Sequence, residues 1–171
     1  MPLLQRQFLK APPPIRQLEP WALAPLGGGD VSSTALTGKV VLLTLEPGPC
    51  AADCVQRQKD FGTAVRHVDD LGDKVVLVTV VGDDARDGLG ELMKGATPAW
   101  RFGSPDPSLL GALQAVANVR ASPNRVDITR SQAIVLIDQN NMLRDLWPGD
   151  GAGRGNSINA ARLLAKHGPN P

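Results

Sequence analysis

The hydrophobic positions of this 171-residue chain change their spacing several times, and each change predicts an element of secondary structure. Two runs, 39–45 and 74–81, are almost entirely apolar and rich in β-branched residues, which is typical of strands buried on both faces of a sheet. A third such run lies at 133–137, and a turn at 139–141 joins it to residues 142–147. The last two runs therefore predict a hairpin.

Apolar residues spaced three and four positions apart predict helices between and after these strands. The predicted helices cover residues 51–68, 84–94, 109–119 and 157–167. The third has a clear start, because Asp106 is a capping residue and Pro107 suits the first helical position. We also expect short strands at 21–23 and 99–102, and one helical turn at 33–36.

The order of these elements indicates the fold class. Strands and helices alternate, and a hairpin and a helix end the chain, which is the α/β arrangement of a thioredoxin-like fold with a central mixed sheet flanked by helices. Residues 1–20 contain five prolines and little periodicity, so we expect an irregular N-terminal segment there. The remaining residues, 21–171, are expected to form a single domain.

Composition narrows the functional classes. Eighteen basic and seventeen acidic residues nearly cancel, and the chain has three Trp, three Phe and no Tyr. A nucleic-acid partner is therefore not expected. No apolar run reaches the roughly 18–20 residues of a membrane span, and no secretory signal is visible at the start. We expect any membrane attachment to depend on an anchor outside this chain.

The two cysteines of the chain, Cys50 and Cys54, directly follow the first buried run. A strand that delivers two thiols to the start of a helix can support disulfide exchange or bind a soft metal. Cys54 should lie in the first helical turn, where backbone amides stabilise a thiolate, whereas Asp53 places a negative charge beside it. One pair does not distinguish an oxidising compartment from a reducing one.

Four segments resemble the SCO (SenC) family of thioredoxin-like proteins, which assist copper-centre assembly in cytochrome c oxidase. The segments are L-T-G-K-V-V-L at 36–42 (family L-x-G-K-V-V-L), C-A-A-D-C at 50–54 (family C-x-x-x-C), V-V-G-D-D-A-R-D at 80–87 (family S-V-D-P-E-R-D), and I-V-L-I-D with L-R-D-L-W in 134–147 (family Y-L-I-D…L…D-Y-F). Their order and spacing cover residues 21 to 167, and this combination is more specific than any one segment.

The chain departs from this family at a ligand position. In the family, a histidine within V-D-H-S/T completes a copper site of two cysteines and one histidine. Counting back without gaps from residues 136–138 places Arg130 at the histidine position. A guanidinium stays protonated and has no lone pair to donate, but beside the cysteines its charge would lower their pKa and favour thiol exchange. The prolines that the family carries inside and after the cysteine motif are also absent, because Ala51 follows Cys50 and Val55 follows Cys54.

The resemblance implies a thiol–disulfide protein whose functional residues are Cys50, Cys54 and Arg130. It implies respiratory copper-site maturation on the periplasmic side of a bacterial-type membrane, with a protein partner that carries reactive cysteines or a copper site. We expect a monomer. One alternative is a copper metallochaperone that holds copper through Cys50, Cys54 and an unrecognised third ligand. Another is a redox sensor or docking module, so enzymatic activity stays open.

Other candidate residues are interpreted structurally. His67 lies too far along its predicted helix to share a site with the cysteines, and His167 suits a helix C-terminus. Met142 is expected to pack in the hairpin. Residues 83–87 should cap the next helix and pair locally. The glycines within 149–155 lack the Gly-Lys-Ser/Thr of a phosphate-binding loop, so they predict a flexible loop.

Overall fold

The computed structural model describes residues 10–66, 72–119, 128 and 132–169. Within these ranges, one eight-stranded sheet has the order β1-β8-β7-β4-β5-β6-β2-β3. The strands are β1 (Arg16–Gln17), β2 (Ala22–Gly27), β3 (Val31–Ser32), β4 (Val40–Glu46), β5 (Val75–Val81), β6 (Trp100–Ser104), β7 (Ala133–Ile137) and β8 (Met142–Pro148). The helices are α1 (Ala52–Arg66), α2 (Gly90–Lys94), α3 (Pro107–Asn118) and α4 (Gly151–His167), with a 3-10 turn at Asp83–Ala85.

The sheet is mixed, as the sequence predicts. Strand β4 pairs with β5 in parallel and with β7 antiparallel, while β5 pairs with β6 in parallel. Strands β7 and β8 form the predicted antiparallel hairpin. Because β4 lies between β5 and β7, the loop that follows it starts at the centre of the sheet.

Side chains of β4 alternate between two cores on opposite faces of the sheet. Val41, Leu43 and Leu45 belong to a core that includes buried residues of α3. Val40 and Leu42 belong to the other core, which includes buried residues of α1 and α4. The helices therefore cover both faces, which explains why the whole of β4 is buried.

Helix α3 starts as predicted, because the Asp106 side chain accepts a hydrogen bond from the Ser108 amide at 2.9 Å. Helix α4 starts six residues earlier than predicted, so the expectation of a flexible loop through the glycines is wrong. Asp150 caps this helix by accepting from the Gly153 amide at 2.7 Å. A Cβ at Gly153 would lie 1.9 Å from the Pro148 carbonyl oxygen, so glycine allows the helix to start against the end of β8.

Part of the predicted irregular N-terminal segment, residues 16–18, packs against the sheet. Arg16 and Gln17 pair antiparallel with β8, and Leu18 is buried. Arg144 of β8 bonds Asp138 at 2.7 Å and the Pro12 carbonyl oxygen at 2.9 Å, and it also donates to the Pro169 carbonyl. Two residues of strand are too few to give a periodic pattern, which is why the sequence does not reveal β1.

Two further segments depart from expectation. Residues 33–38 form turns in place of one turn of helix. The predicted helix 84–94 is divided into the 3-10 turn and α2. Arg86 pairs locally with Asp83 at 3.8 Å, as predicted for this segment. No helix in the described ranges is long and apolar enough to cross a membrane.

Candidate redox site

Cys50 and Cys54 form a disulfide just beyond the end of β4, with Cα atoms 5.2 Å apart. Helix α1 begins at Ala52, so Cys54 lies in its first turn as predicted. Both cysteines are buried, with exposures of 8% for Cys50 and 4% for Cys54. The site therefore consists of a strand end, a short loop and a helix start that hold two sulfur atoms together.

Glu46 is a charged residue in direct contact with the disulfide. It is the last residue of β4, it is 4% exposed, and its Oε2 atom lies 3.2 Å from Cys54 Sγ. A disulfide sulfur has no hydrogen to donate, so in this state the contact is a close approach of sulfur and oxygen. In the dithiol state, the Cys54 thiol can donate a hydrogen bond to the same oxygen.

Two glutamine amides hold the Glu46 carboxylate. Gln58 of α1 donates to Oε1 at 2.7 Å, and Gln132, just before β7, donates to Oε2 at 3.0 Å. Burial raises the pKa of Glu46 above its usual value of 4.5, and the two amides and the nearby charge of Arg57 partly offset this rise. The carboxylate is thus fixed in position from both sides.

The hydrogen bonds continue from Gln58 into the sheet. The Thr79 hydroxyl donates to Gln58 Oε1 at 3.2 Å and accepts from the Trp100 indole at 3.0 Å. Thr44 lies beside them, 3.1 Å from the Thr79 oxygen. We call Thr44, Glu46, Gln58 and Thr79 the polar patch. Its members are buried and bonded to one another, which makes the patch a rigid support for the disulfide.

The segment after β5 packs against the cysteine loop. The Gly82 amide donates to the Glu46 carbonyl at 2.9 Å. A Cβ at Gly88 would lie 1.8 Å from the Cys50 carbonyl oxygen, so only glycine allows this approach. This contact lies where the predicted helix 84–94 is interrupted, between the 3-10 turn and α2. The bond from Gly82 places the SCO-like segment 80–87 beside the end of β4, from which the cysteine loop starts.

The structure brings together some of the predicted site residues. Cys50 and Cys54 are joined, whereas Arg130 and His67 lie outside the described residues. Gln132, two positions after Arg130, reaches the Glu46 carboxylate next to Cys54. Met142 lies in β8 and His167 in the last turn of α4, as the sequence predicts.

Glu46 is a candidate site residue that the sequence analysis missed. Its side chain and the two cysteines form a group whose ligand atoms all lie within 4.8 Å of one another, a spacing that suits a metal ion once the disulfide is reduced. The available signal is the period of two along β4, which places Glu46 on the same face as Leu42 and Thr44. The predicted strand stops at residue 45, and this excludes Glu46 from the pattern.

Comparisons with known proteins give the fold. No family model matches the sequence, and no curated protein matches it either. Among solved structures, the chain is similar to BsSco, a member of the Sco family of cytochrome c oxidase assembly proteins with an identified disulfide switch. The TM-score is 0.61 at 13% identity, over 92% of this chain and 99% of that one.

Two other solved structures are comparably similar. A SCO1/SenC family lipoprotein from Bacillus anthracis str. Ames has a TM-score of 0.57 at 14% identity, over 88% of this chain and 95% of that one. Peroxidoxin BcpB from Mycobacterium tuberculosis has a TM-score of 0.58 at 14% identity, over 92% and 98%. These likenesses confirm the predicted thioredoxin-like fold. Since Sco proteins and a peroxidoxin share this fold, the fold does not give the function, which must be argued from the site.

Proposed function

We propose that this protein is an SCO-like thiol–disulfide protein that assists maturation of the cytochrome c oxidase copper centre through the Cys50/Cys54 pair. The observation that carries the proposal is the disulfide at the end of β4, braced by a buried carboxylate. Of the segments that resemble the SCO family, 36–42 leads into β4, and 80–87 lies beside the start of the loop that carries the cysteines, where a Cβ at Gly82 would meet the Pro47 carbonyl oxygen at 2.8 Å. The fold is shared with BsSco, whose disulfide acts as a switch.

Cys50 is the attacking residue in this proposal. It is the more exposed of the two residues, at 8% against 4%, and it precedes α1, whereas Cys54 lies within α1 against Glu46. In the dithiol state, a hydrogen bond from the Cys54 thiol to Glu46 holds that sulfur in its protonated form, so Cys50 is the more available thiolate.

The exchange proceeds in two displacement steps. The Cys50 thiolate attacks one sulfur of the partner's disulfide, which forms a mixed disulfide and releases the partner's other sulfur as a thiolate. Cys54, after loss of its proton, then attacks the Cys50 sulfur and releases the partner's second thiolate. The partner gains two electrons, this protein loses two, and its cysteines end as the intramolecular disulfide.

Trapping of the mixed disulfide tests this assignment. Reduced Cys54→Ser, mixed with glutathione disulfide, should accumulate a stable glutathione adduct on Cys50, detected by mass spectrometry of the intact protein. The matched variant Cys50→Ser should form the adduct more slowly, because Cys54 is the more buried residue. Equal rates of adduct formation would contradict the assignment of Cys50, and the absence of any adduct would contradict the proposed exchange.

The proposed partner is a protein with reactive cysteines or a copper site, on the periplasmic side of the membrane. Support comes from the sequence resemblance and from the structural likeness to a SCO1/SenC lipoprotein. Arg130, at the family's histidine position, is proposed to increase the reactivity of the thiols. The test uses a soluble copper-site domain of cytochrome c oxidase whose site cysteines are oxidised. We expect the reduced protein to restore copper uptake by this domain, and the Cys50→Ser variant to fail to restore it.

A second candidate is a copper metallochaperone, which the close pair of Cys50 and Cys54 favours. Two thiolates suit Cu(I) as cargo, while the carboxylate oxygen is a harder donor than this ion prefers. An anaerobic Cu(I) titration of the reduced protein against a chromophoric chelator tests this function. Tight one-to-one binding that is lost in the Cys50→Ala/Cys54→Ala variant would support it, and failure to compete with the chelator would exclude it.

A further inference from the structure

We propose that Glu46, Cys50 and Cys54, once the disulfide is reduced, form a three-ligand site for a borderline divalent cation of the Zn²⁺ class. The inference rests on the dithiol state of the proposed function, but it does not depend on the exchange reaction. The proposed site differs from the Cu(I) candidate in two ways: Glu46 is a third ligand, and the metal is a divalent ion. Four observations support it.

The first observation is the separation of the ligand atoms. Cys54 Sγ and Glu46 Oε2 lie 3.2 Å apart, and the three ligand atoms lie within 4.8 Å of one another. Ligands around tetrahedral zinc lie about 2.0–2.3 Å from the metal, which places them roughly 3.5 Å from each other. Reduction breaks the sulfur–sulfur bond and leaves the two sulfurs free to separate to that distance.

The second observation is the set of hydrogen bonds that orients the carboxylate. Gln58 donates to Oε1 and Gln132 donates to Oε2, so each oxygen keeps one lone pair for a further partner. Outer partners of this kind fix a ligating carboxylate and increase metal affinity. Gln58 is in turn bonded to Thr79, so the orientation is set by the interior of the protein rather than by solvent.

The third observation is the balance of charge. Two thiolates and one carboxylate carry three negative charges in a buried site, and a divalent cation neutralises two of them. Arg57 acts electrostatically on Glu46, and Arg57 and Arg154 line the same cleft as Glu46 and Gln132. These cations reduce the cost of burying the remaining negative charge.

The fourth observation is the type of donor. Two sulfur ligands disfavour Mg²⁺ and Ca²⁺, which prefer oxygen, and a carboxylate disfavours Cu(I), which prefers sulfur. A mixed set of two thiolates and one carboxylate fits Zn²⁺, which accepts both. Three ligands from the chain leave a fourth tetrahedral position for water or for a partner's ligand.

Co²⁺ is a visible probe of such a site. The protein is reduced by a phosphine, which supplies two electrons while two protons complete the thiols, and the reductant is removed without oxygen. Titration with Co²⁺ should then give thiolate-to-cobalt charge-transfer absorption and the visible bands of tetrahedral cobalt. One equivalent of Zn²⁺ should remove both signals. The double variant Cys50→Ser/Cys54→Ser should show neither.

The Glu46→Gln variant tests the carboxylate. We expect its Co²⁺ and Zn²⁺ affinities to fall at least tenfold, because outer-shell changes alone cost about 10–100-fold and this change removes a ligand. Its Cu(I) affinity should stay unchanged. Glu91→Gln, which removes the same charge from an exposed position, is the matched control and should bind all three ions like the parent chain. Equal Zn²⁺ affinities for Glu46→Gln and Glu91→Gln would overturn the proposal.

X-ray absorption of the unmodified zinc complex tests the ligand set without a variant. The proposal predicts two sulfur neighbours near about 2.3 Å and oxygen neighbours near about 2.0 Å. Four sulfur neighbours, which require two chains to share one ion, would overturn it. The glutathione exchange described above is run without metal, so a failure of exchange and a failure of zinc binding are separate results.

Discussion

The two faces of β4 differ in their chemistry although they belong to one strand. On the face toward α3, Val41, Leu43 and Leu45 pack in a core of apolar side chains. On the face toward α1, Leu42 is followed by Thr44 and Glu46 of the polar patch. Because side chains alternate along a strand, every second position can serve stability while the others serve the site.

Each face makes its own contribution to the protein. Burial of apolar area stabilises the fold at roughly 25 cal/mol per Å². On the α3 face this gain carries no cost for burying polar groups. The polar patch buries a carboxylate, an amide and two hydroxyls, whose desolvation is offset only because they bond to one another. We infer that the polar patch supports the disulfide beside it, whereas the α3 face stabilises the fold.

The largest change in the free energy of unfolding should follow from a large-to-small substitution in the core on the α3 face. Leu113 of α3 is fully buried in this core, so Leu113→Ala should lower the free energy of unfolding by about 2–5 kcal/mol. Urea denaturation measures this change. The rate of exchange with glutathione disulfide, per folded molecule, should not change. Leu110→Ala, at a partly buried position of the same helix, is the control and should cost less. A large loss of exchange in folded Leu113→Ala would contradict the division between the faces.

A second effect should follow from a change at the cysteine loop. The Cβ of Gly88→Ala would meet the Cys50 carbonyl oxygen at 1.8 Å, so one of the two loops must move. Overpacking of this kind costs about 1–3 kcal/mol, and here it should also change the rate of exchange. Gly90→Ala is the matched control, because a Cβ there meets nothing within 4 Å. Identical exchange rates for the two variants would show that the contact does not position Cys50.

A smaller effect, confined to a range of pH, should follow from Glu46→Gln. Burial raises the pKa of Glu46 above 4.5 in the folded protein, so its contribution to stability is fully present below pH 4.5 and is lost as the pH rises through the folded value. The glutamine variant has no such titration. The free energy of unfolding of the parent chain, relative to the variant, should therefore fall as the pH rises above 4.5 and then level off.

This experiment uses the oxidised protein, in which the cysteines do not titrate. The groups that face the carboxylate are then the amides of Gln58 and Gln132 and the charge of Arg57. Urea denaturation between about pH 4 and pH 8 measures the difference, with Glu91→Gln as the exposed control. A difference that stays constant or increases with pH would refute the expected direction.

The smallest effect should follow from Arg130→Ala. If this guanidinium lies beside the thiols, its removal should raise the pH at which the reduced protein reacts with a thiol reagent by about one unit or less. Arg16→Ala, on the edge strand β1, is the control and should leave the profile unchanged. An unchanged profile for Arg130→Ala as well would remove Arg130 from the site.

Much of the fold can be predicted from the sequence, because long apolar runs specify buried strands whatever surrounds them. Strands β4, β5 and β7 and the cap of α3 follow from such local patterns. The early start of α4 does not, because it depends on a contact between Gly153 and β8 that no local pattern reveals.

The site can be predicted only in part, for a related reason. Cys50 and Cys54 are close in sequence, so their pairing follows from local spacing. Gln132 is 86 positions away from Glu46, and only the pairing of β7 with β4 brings the two together. A polar network assembled across strands and helices leaves little trace in the order of residues along the chain.

Reversible two-electron exchange by Cys50 and Cys54 in the folded protein is the property on which the proposed function depends. Equilibration with graded ratios of reduced and oxidised dithiothreitol, followed by thiol alkylation and mass spectrometry, measures it. We predict one reversible transition between no free thiols and two, with a slope of about 30 mV per tenfold change in ratio. A disulfide that resists reduction until the protein unfolds would contradict the proposal.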